Sequence, residues 1–474
     1  MALREAVSQL PLAASPALTR SALFAALLLG FFALEVASFP RFEPVHSGDE
    51  TVWRTTGSQP ALSLAFYTGG RPFSVPLLHK LAGWNEPAVI LFQSLLSVAC
   101  WFGLALALAL ELPGVRAQLA CAALVCLFSL TTPINQWDPV IRSESVFFSS
   151  LALVLALTLV GVRRATAGRL GAPFVLAWAL ACLLFAGSRE SATYFLDLLW
   201  LALAAALAAA RPIGPRARPH AAALLALALL ASVLAFSHWT TARSLRWHTP
   251  LVNVLLQRIL PDDEARELWV ARYALPQPSS LAPYVGRSAW DPTENGQEIR
   301  QRLLRDPAFA ADQSWLMERG MRSYQRYLAW DALLPSLAAA FDALGAHAND
   351  ANMGFAQGAG RTLWARAATL VLYPMLPAGG LLCLGVIAFS GAVALYRPRA
   401  RRLALCTAFL ALSAVAQSFV NYHGDADDVR RHMAVCGLLL RLALLFMLAT
   451  ALLALSGRAG AGGAPAMGSR GSRL

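Results

Sequence analysis

Residues 88–110 read AVILFQSLLSVACWFGLALALAL, 23 consecutive positions without one charged side chain. About 20 apolar residues carry a helix across the hydrocarbon core of a bilayer, so this stretch is a membrane span. Comparable apolar runs occupy 21–39, 117–134, 145–162, 172–188, 190–210, 220–238, 367–396, 403–420 and 433–456. The fold class expected is an all-α polytopic membrane protein with about ten transmembrane helices. Composition agrees. Of 474 residues, 57% are hydrophobic and 14% charged, against about 45–50% and about 25% in soluble domains. So few charges cannot cover a soluble surface, and so apolar a chain is not disordered.

The net charge of +12 has a topological origin. Basic residues collect in short cytoplasmic loops. With the N-terminus inside, the inside segments hold sixteen arginines, among them Arg163, Arg164, Arg401 and Arg402, against Glu5 and Glu111 alone. The rest of the chain is close to neutral. Both termini are therefore expected in the cytoplasm, and no nucleic-acid partner is needed to explain the charge. Heavy use of Ala and Arg with one lysine, Lys80, suggests a high-GC bacterium. The expected location is the bacterial cytoplasmic membrane. All seven cysteines fall inside predicted spans, so no disulfide framework is implied.

Four segments follow. Residues 1–238 form a transmembrane module of seven spans with a large first outside loop, 40–87. Residues 239–366 form a second, helical outside region. Residues 367–456 supply spans eight to ten, and 457–474 a Gly/Ala/Ser/Arg-rich cytoplasmic tail expected to be disordered. The second region carries seven of the thirteen tryptophans. These form either a small helical core, a headgroup belt, or stacking surfaces for a sugar or polyprenyl chain.

The first outside loop contains His46-Ser47-Gly48-Asp49-Glu50, an acidic pair that packing does not require. Further on, Arg71 to Leu81 is too short to span and amphipathic, so it is expected to lie in the interface plane. Lys80, within it, reads most simply as a snorkelling cation. Cations gather at the same level: Arg142, Arg189, His238, Arg243, Arg246, His248, Arg430, Arg431 and His432. They oppose the positive-inside trend. Two explanations stand side by side. One is a phosphate-bearing ligand held by charge-assisted hydrogen bonds. The other is local pairing, of Arg142 with Asp138 or Glu144, Arg189 with Glu190, and Arg430 with Asp427. Inside the spans, Glu35, Asp197 and Arg441 stand out, since intramembrane charges pair or line a cavity; Asp197 and Arg441 are candidate partners. The chain has no Walker A sequence and no HExxH.

Together these features resemble the GT-C superfamily of lipid-linked-sugar glycosyltransferases, which includes protein O-mannosyltransferases and the lipid A aminoarabinose transferase. The resemblance rests on Asp49-Glu50 in a long first outside loop, an interfacial helix over Arg71 to Leu81, and a large outside region after span seven. Arg142-Ser143-Glu144-Ser145 opening span four and Ser188-Arg189 between spans five and six resemble the family's acidic and basic positions. Arg430-Arg431-His432 stands where relatives often carry Arg-Tyr. The resemblance implies transfer of a sugar from a polyprenyl-phosphate donor to a hydroxyl on a glycan, lipid or protein acceptor, with inversion. Asp49 would act as general base and Glu50 would orient the acceptor or hold a metal. Arg71, Arg142, Arg189, Arg430, Arg431 and His432 would meet the donor phosphate, and His46 and Glu144 the acceptor or a metal. The resemblance fixes no cofactor and leaves a divalent metal open. Two other classes remain open: an O-antigen-type polymer ligase or polymerase, relying on outside Arg and His, and a lipid-linked glycan flippase or transporter, which needs polar residues through the membrane depth.

Overall fold

The computed structural model describes residues 16–38, 44–45, 50–209, 217–244, 246–276, 281–289, 299, 306–349, 363–376, 378–427 and 429–459. In chain order the first half comprises α1 (Pro16–Ser38), the short α2 (Glu50–Ser58), α3 (Leu64–Tyr67) and α4 (Ser74–Leu81). Then come α5 (Glu86–Ala109), α6 (Val115–Ser129), α7 (Thr132–Asn135), α8 (Ser143–Thr166), α9 (Ala172–Ala186), α10 (Glu190–Ala209) and α11 (Ala217–Arg243). The second half comprises α12 (His248–Val254), α13 (Asp263–Tyr273), α14 (Pro307–Asp331), α15 (Leu333–His347), α16 (Leu363–Leu372), α17 (Gly379–Tyr396), α18 (Arg401–Gly424) and α19 (Val429–Ala459).

Among the described residues, eight of these helices are long and apolar enough to cross a membrane: α1, α5, α8, α10, α11, α17, α18 and α19. The protein is thus an all-helical, multi-pass membrane protein. Two further apolar helices, α6 and α9, have 15 residues each and coincide with two of the ten expected spans. The expected continuous span over 367–396 is not continuous. The helix stops at Leu372 and resumes at Gly379. Pro374 explains the stop, because it cannot donate a helical backbone hydrogen bond.

The start of α5 illustrates how local sequence sets these boundaries. Asn85 Oδ1 accepts from Ala88 N at 3.1 Å, and Pro87 occupies the first turn, where its missing N–H costs nothing. α5 then packs against α6 and α8, α8 against α9, and α9 against α10 and α11. Trp101, Phe128, Phe147, Phe185 and Phe195 fill the middle of this assembly. Contact between α10 and α18 joins it to the α17–α19 group. At one face Arg402 Nη2 pairs with Glu111 Oε2 at 3.2 Å and Nη1 reaches Thr166 Oγ1 at 3.3 Å. The opposite face carries the first large loop and is called the first-loop face below.

There, Ser74 fastens α4 to the bundle. Its N donates to Gly187 O at 2.8 Å and its Oγ to Leu184 O at 2.8 Å. A Cβ at Gly187 would lie 2.4 Å from the Phe73 ring, so only glycine admits this approach. Lys80 does not snorkel. Its Nζ donates to Gly57 O and Gln59 O, both at 3.1 Å, closing the end of α2. Gln93 Nε2 donates to Asp138 O at 2.8 Å and Val140 O at 3.1 Å, fixing the turn before α8. Val45 joins that turn: its N donates to Pro139 O at 2.9 Å, and Ile141 N donates to Val45 O at 3.4 Å.

Between α11 and α15, Trp269 is fully buried and meets Tyr273, Trp315, Tyr324 and Tyr327. These aromatic residues form a helical core, the plainest of the readings open to them. The expected partnership of Asp197 and Arg441 is not formed. His238 Nε2 pairs with Asp197 Oδ2 at 3.1 Å. Arg441 instead donates to backbone carbonyls of Ala348 (2.7 Å), Pro374 (2.8 Å) and Gly437 (3.2 Å) and to Asn349 Oδ1 (3.1 Å).

Candidate functional site

A cleft with about 410 Å³ of open space lies at the first-loop face. Each wall comes from a different element. α2 contributes Trp53, and the segment before α4 contributes Arg71 and Pro72. The start of α8 supplies Arg142, Ser143 and Glu144, the α9–α10 junction Ser188, Arg189 and Glu190, and the start of α19 Arg431 and His432. Arg142, Arg189, Arg431 and His432, four of the basic residues expected at one level of the membrane, therefore meet in one place, together with Arg71.

Glu144 is the hub. Its Oε1 lies 3.3 Å from Arg189 Nη1 and 3.6 Å from Arg431 Nε, and the charge of Arg142 acts on the same carboxylate. Arg189 Nη2 donates to His432 Nδ1 at 2.8 Å. Aromatic faces brace two guanidinium groups: Arg71 stands 5.4 Å from the Trp53 ring and Arg189 5.9 Å from the Phe147 ring. Four arginines thus face two carboxylates among the lining residues, and Arg142, Glu144 and Arg189 are buried. Guanidinium forks match phosphate geometry bidentately, so the cleft is suited to an anion of that class.

The local pairings foreseen for these arginines are partly different. Arg189 pairs with Glu144 rather than with its neighbour Glu190. Glu190 pairs with Arg246 Nη1 at 3.3 Å. Burial above all pulls the Arg246 guanidinium below its ordinary pKa, with Glu190 opposing that effect. Arg430 is exposed and is not among the lining residues. His46 and Asp49 lie outside the described residues, and Glu50 is described only as the first residue of α2. The described chain on either side of them is close to the cleft: Val45 is bonded to the turn that precedes Arg142, and Trp53 is a lining residue.

Sequence reasoning missed a second groove beside the first. It is narrow, and Tyr67, Phe73, Leu183 and Phe236 line it together with Glu190, Ser237, Thr240, Thr241 and Arg246. Pro72 and Glu190 line both spaces. Tyr67 contacts Phe73 and Phe236 edge-on, with ring centroids 5.4 Å apart in each case. The aromatic residues were visible in the sequence, but nothing in their spacing brings residue 67 to residue 236.

Beside the cleft, Asp138 is buried under the turn that receives Val45. Burial pushes its carboxyl up to about 6, against hydrogen bonds with Ser145, Glu35 and Ser97. Asn135 Nδ2, from the same turn, donates to Glu35 Oε2 at 2.8 Å. Among the described residues no three His, Cys, Asp or Glu side chains group as metal ligands. Glu144, ringed by guanidinium groups, is poorly suited to hold a divalent cation. Comparisons with family models, curated proteins and solved structures found no match.

Proposed function

We propose that the protein is a GT-C-like glycosyltransferase that takes its sugar from a polyprenyl-phosphate donor at the outer side of the membrane. One observation carries this reading. A cleft lined by Arg71, Arg142, Arg189, Arg431 and His432 shares a wall with a second groove, where the rings of Tyr67, Phe73 and Phe236 stand beside Glu190, Ser237, Thr240, Thr241 and Arg246. A ligand with an anionic head suits the cleft, and the rings of the groove offer contact to a hydrocarbon tail. The termini lie in the cytoplasm in this reading, as the distribution of arginines requires.

In the proposed reaction the acceptor hydroxyl oxygen attacks the anomeric carbon as the bond to the donor phosphate breaks. Asp49 takes the hydroxyl proton, and the sugar configuration inverts. The polyprenyl phosphate leaves with the bonding electron pair. The guanidinium groups stabilise the charge that develops on it. Glu144 keeps those groups in register before the donor arrives. Base assistance of this kind contributes about 10²–10⁴-fold.

The test is Asp49→Asn in purified protein given a polyprenyl-phosphate sugar and an acceptor. Transfer should fall by that factor while donor binding stays near wild type. Transfer at the wild-type rate would refute the assignment of the base. A second reading, transport of a lipid-linked glycan, draws on the interrupted helix between α16 and α17. Flipping of a fluorescent lipid-linked glycan by the purified protein in vesicles, with no transfer, would favour it.

A further inference from the structure

The helix that ends the second large region bends sharply. α15 turns 95° away from α14 at Ala332. The last turn of α14 is a π turn closed by Ala332 N donating to Tyr327 O at 2.9 Å. Pro335 sits in the first turn of the new helix, where proline is tolerated.

One face of α15 packs on the spans. Ser336, Ala340, Ala343 and Leu344 are buried, and the Phe341 ring lies where a Cβ at Gly380 would stand. The helix also descends. Near its start, His423 Nε2, at the end of α18, donates to Ser336 O at 3.0 Å. Just past its end, Ala348 O lies against Gly437 and accepts from Arg441 at 2.7 Å. Gly437 and Arg441 lie eight and twelve residues into α19, roughly 12 and 18 Å along its axis at 1.5 Å per residue.

Over its first turns the other face is apolar and uncovered: Leu334 is 76% exposed, and Leu333 and Leu337 are exposed too. Trp330, in the last turn of α14 just before the bend, is 79% exposed, and further along α15 the exposed face also carries Asp342. The helix runs beside α17, a span whose own Leu381 and Leu384 are exposed. A stripe continuous with lipid-facing side chains has hydrocarbon as its natural cover. The helix end makes the same point. Terminal carbonyls have no intrahelical partner, and inside a bilayer no water replaces one. Here Arg441 serves Ala348 O and also Pro374 O from the neighbouring break.

We infer that residues 333–349 re-enter the membrane as a half-helix. Its uncovered face contacts acyl chains through Leu333, Leu334 and Leu337, Trp330 stands at headgroup level, and its C-terminus ends on Arg441. This holds whatever reaction the cleft performs.

Depth-dependent fluorescence quenching tests it on the full chain in phosphatidylcholine vesicles. The signal of Trp330 is the difference between wild type and Trp330→Phe. It should be largely lost when the acyl chains carry bromine close to the headgroup, and little affected by aqueous acrylamide. Adding Leu334→Trp to the Trp330→Phe protein moves the reporter into the half-helix. Strongest quenching should then shift to bromine placed deeper along the chain. Two results would overturn the inference: quenching of Trp330 by acrylamide but not by bromolipid, or the same shallow depth for both reporters. The first would leave the stripe facing water, the second a helix lying along the surface.

Discussion

Arg189, between two membrane spans, and Arg441, within one, are both buried arginines, yet their surroundings differ. Around Arg441 every hydrogen bond goes to the chain itself, to three carbonyls and one amide oxygen, and the ring of Tyr373 lies 3.5 Å away. Around Arg189 the partners are ionisable side chains, Glu144 and His432, and the site opens into a cleft. A guanidinium committed to backbone carbonyls holds a fold together. One held by side chains beside open space can exchange those partners for a ligand.

The largest expected effect breaks the first half of that contrast. Arg441→Met strands Ala348 O and Pro374 O without their donor, while Asn349 Oδ1 keeps Leu376 N at 2.6 Å. At about 1–3 kcal/mol for each buried acceptor left unmade, stability should fall by about 2–6 kcal/mol. Thermal unfolding in detergent reads this, and the affinity of the folded fraction for a polyprenyl phosphate should not change. An unchanged melting temperature would mean that Arg441 does not hold the re-entrant turn.

The next concerns the acid beside the cleft. Asp138 has its pKa raised from 3.8 to about 6 by burial. Between those values the folded state binds more protons than the unfolded chain, so stability falls as pH rises through the window and levels off above about 6. The raised pKa corresponds to a change of about 3 kcal/mol at 1.36 kcal/mol per unit. Asp138 shares this buried site with the Glu35 carboxyl, so Asp138→Asn should make the slope shallower in unfolding measured between pH 4 and 7. An unchanged slope would assign the titration to another group.

The second half of the contrast is sharpened by Arg189→Ala. A hydrogen bond to a charged group contributes about 1.5–3 kcal/mol, so affinity for a polyprenyl phosphate should drop about 10–100-fold. Isothermal titration or a lipid-binding assay reads it. Glu144 retains Arg431 and Arg142 in this variant, so melting should move little. Loss of stability with unchanged affinity would make Arg189 a second Arg441.

Much of this was legible in the sequence for definite reasons. Spans follow from uninterrupted apolar runs, which depend on no partner. The convergence of Arg142, Arg189, Arg431 and His432 was foreshadowed because each sits near a predicted span end on the same side, whereas Arg71 belonged to the expected interfacial helix of the first loop. Pairings were less legible. Glu144 and Arg189 are 45 positions apart, and proximity in sequence pointed to Glu190 instead. Asp197 and Arg441 share a nominal depth but face different neighbours, which depth alone cannot show. Arg441 was read as a charge needing a carboxylate, whereas its partners include carbonyls left open past the end of α15 at Ala348 and at the break around Pro374. Pro335 and Pro374 stand beside the breaks at Ala332 and after Leu372, yet the run over 367–396 reads as one span. What they could not give was the direction in which the chain turned.

The smallest effect concerns how firmly the first loop is held against the cleft. Lys80 reaches from α4 to Gly57 O and Gln59 O, at and just beyond the end of α2. That is where terminal carbonyls lack partners and a cation also complements the helix dipole. α2 carries Trp53, whose ring supports Arg71 in the cleft. Lys80→Met keeps most of the aliphatic stem and deletes both hydrogen bonds. Because this site is partly open to solvent, water replaces the lost donor, and the cost should be about 1 kcal/mol. The effect should be local. Hydrogen exchange of residues 50–58 should quicken about fivefold, at 1.4 kcal/mol per tenfold, with global melting nearly unchanged. Lys80→Arg, which keeps the charge and the donors, should restore most of the protection. If exchange in 50–58 does not respond to Lys80→Met, packing of Trp53 alone holds α2, and the lysine contributes nothing to the cleft.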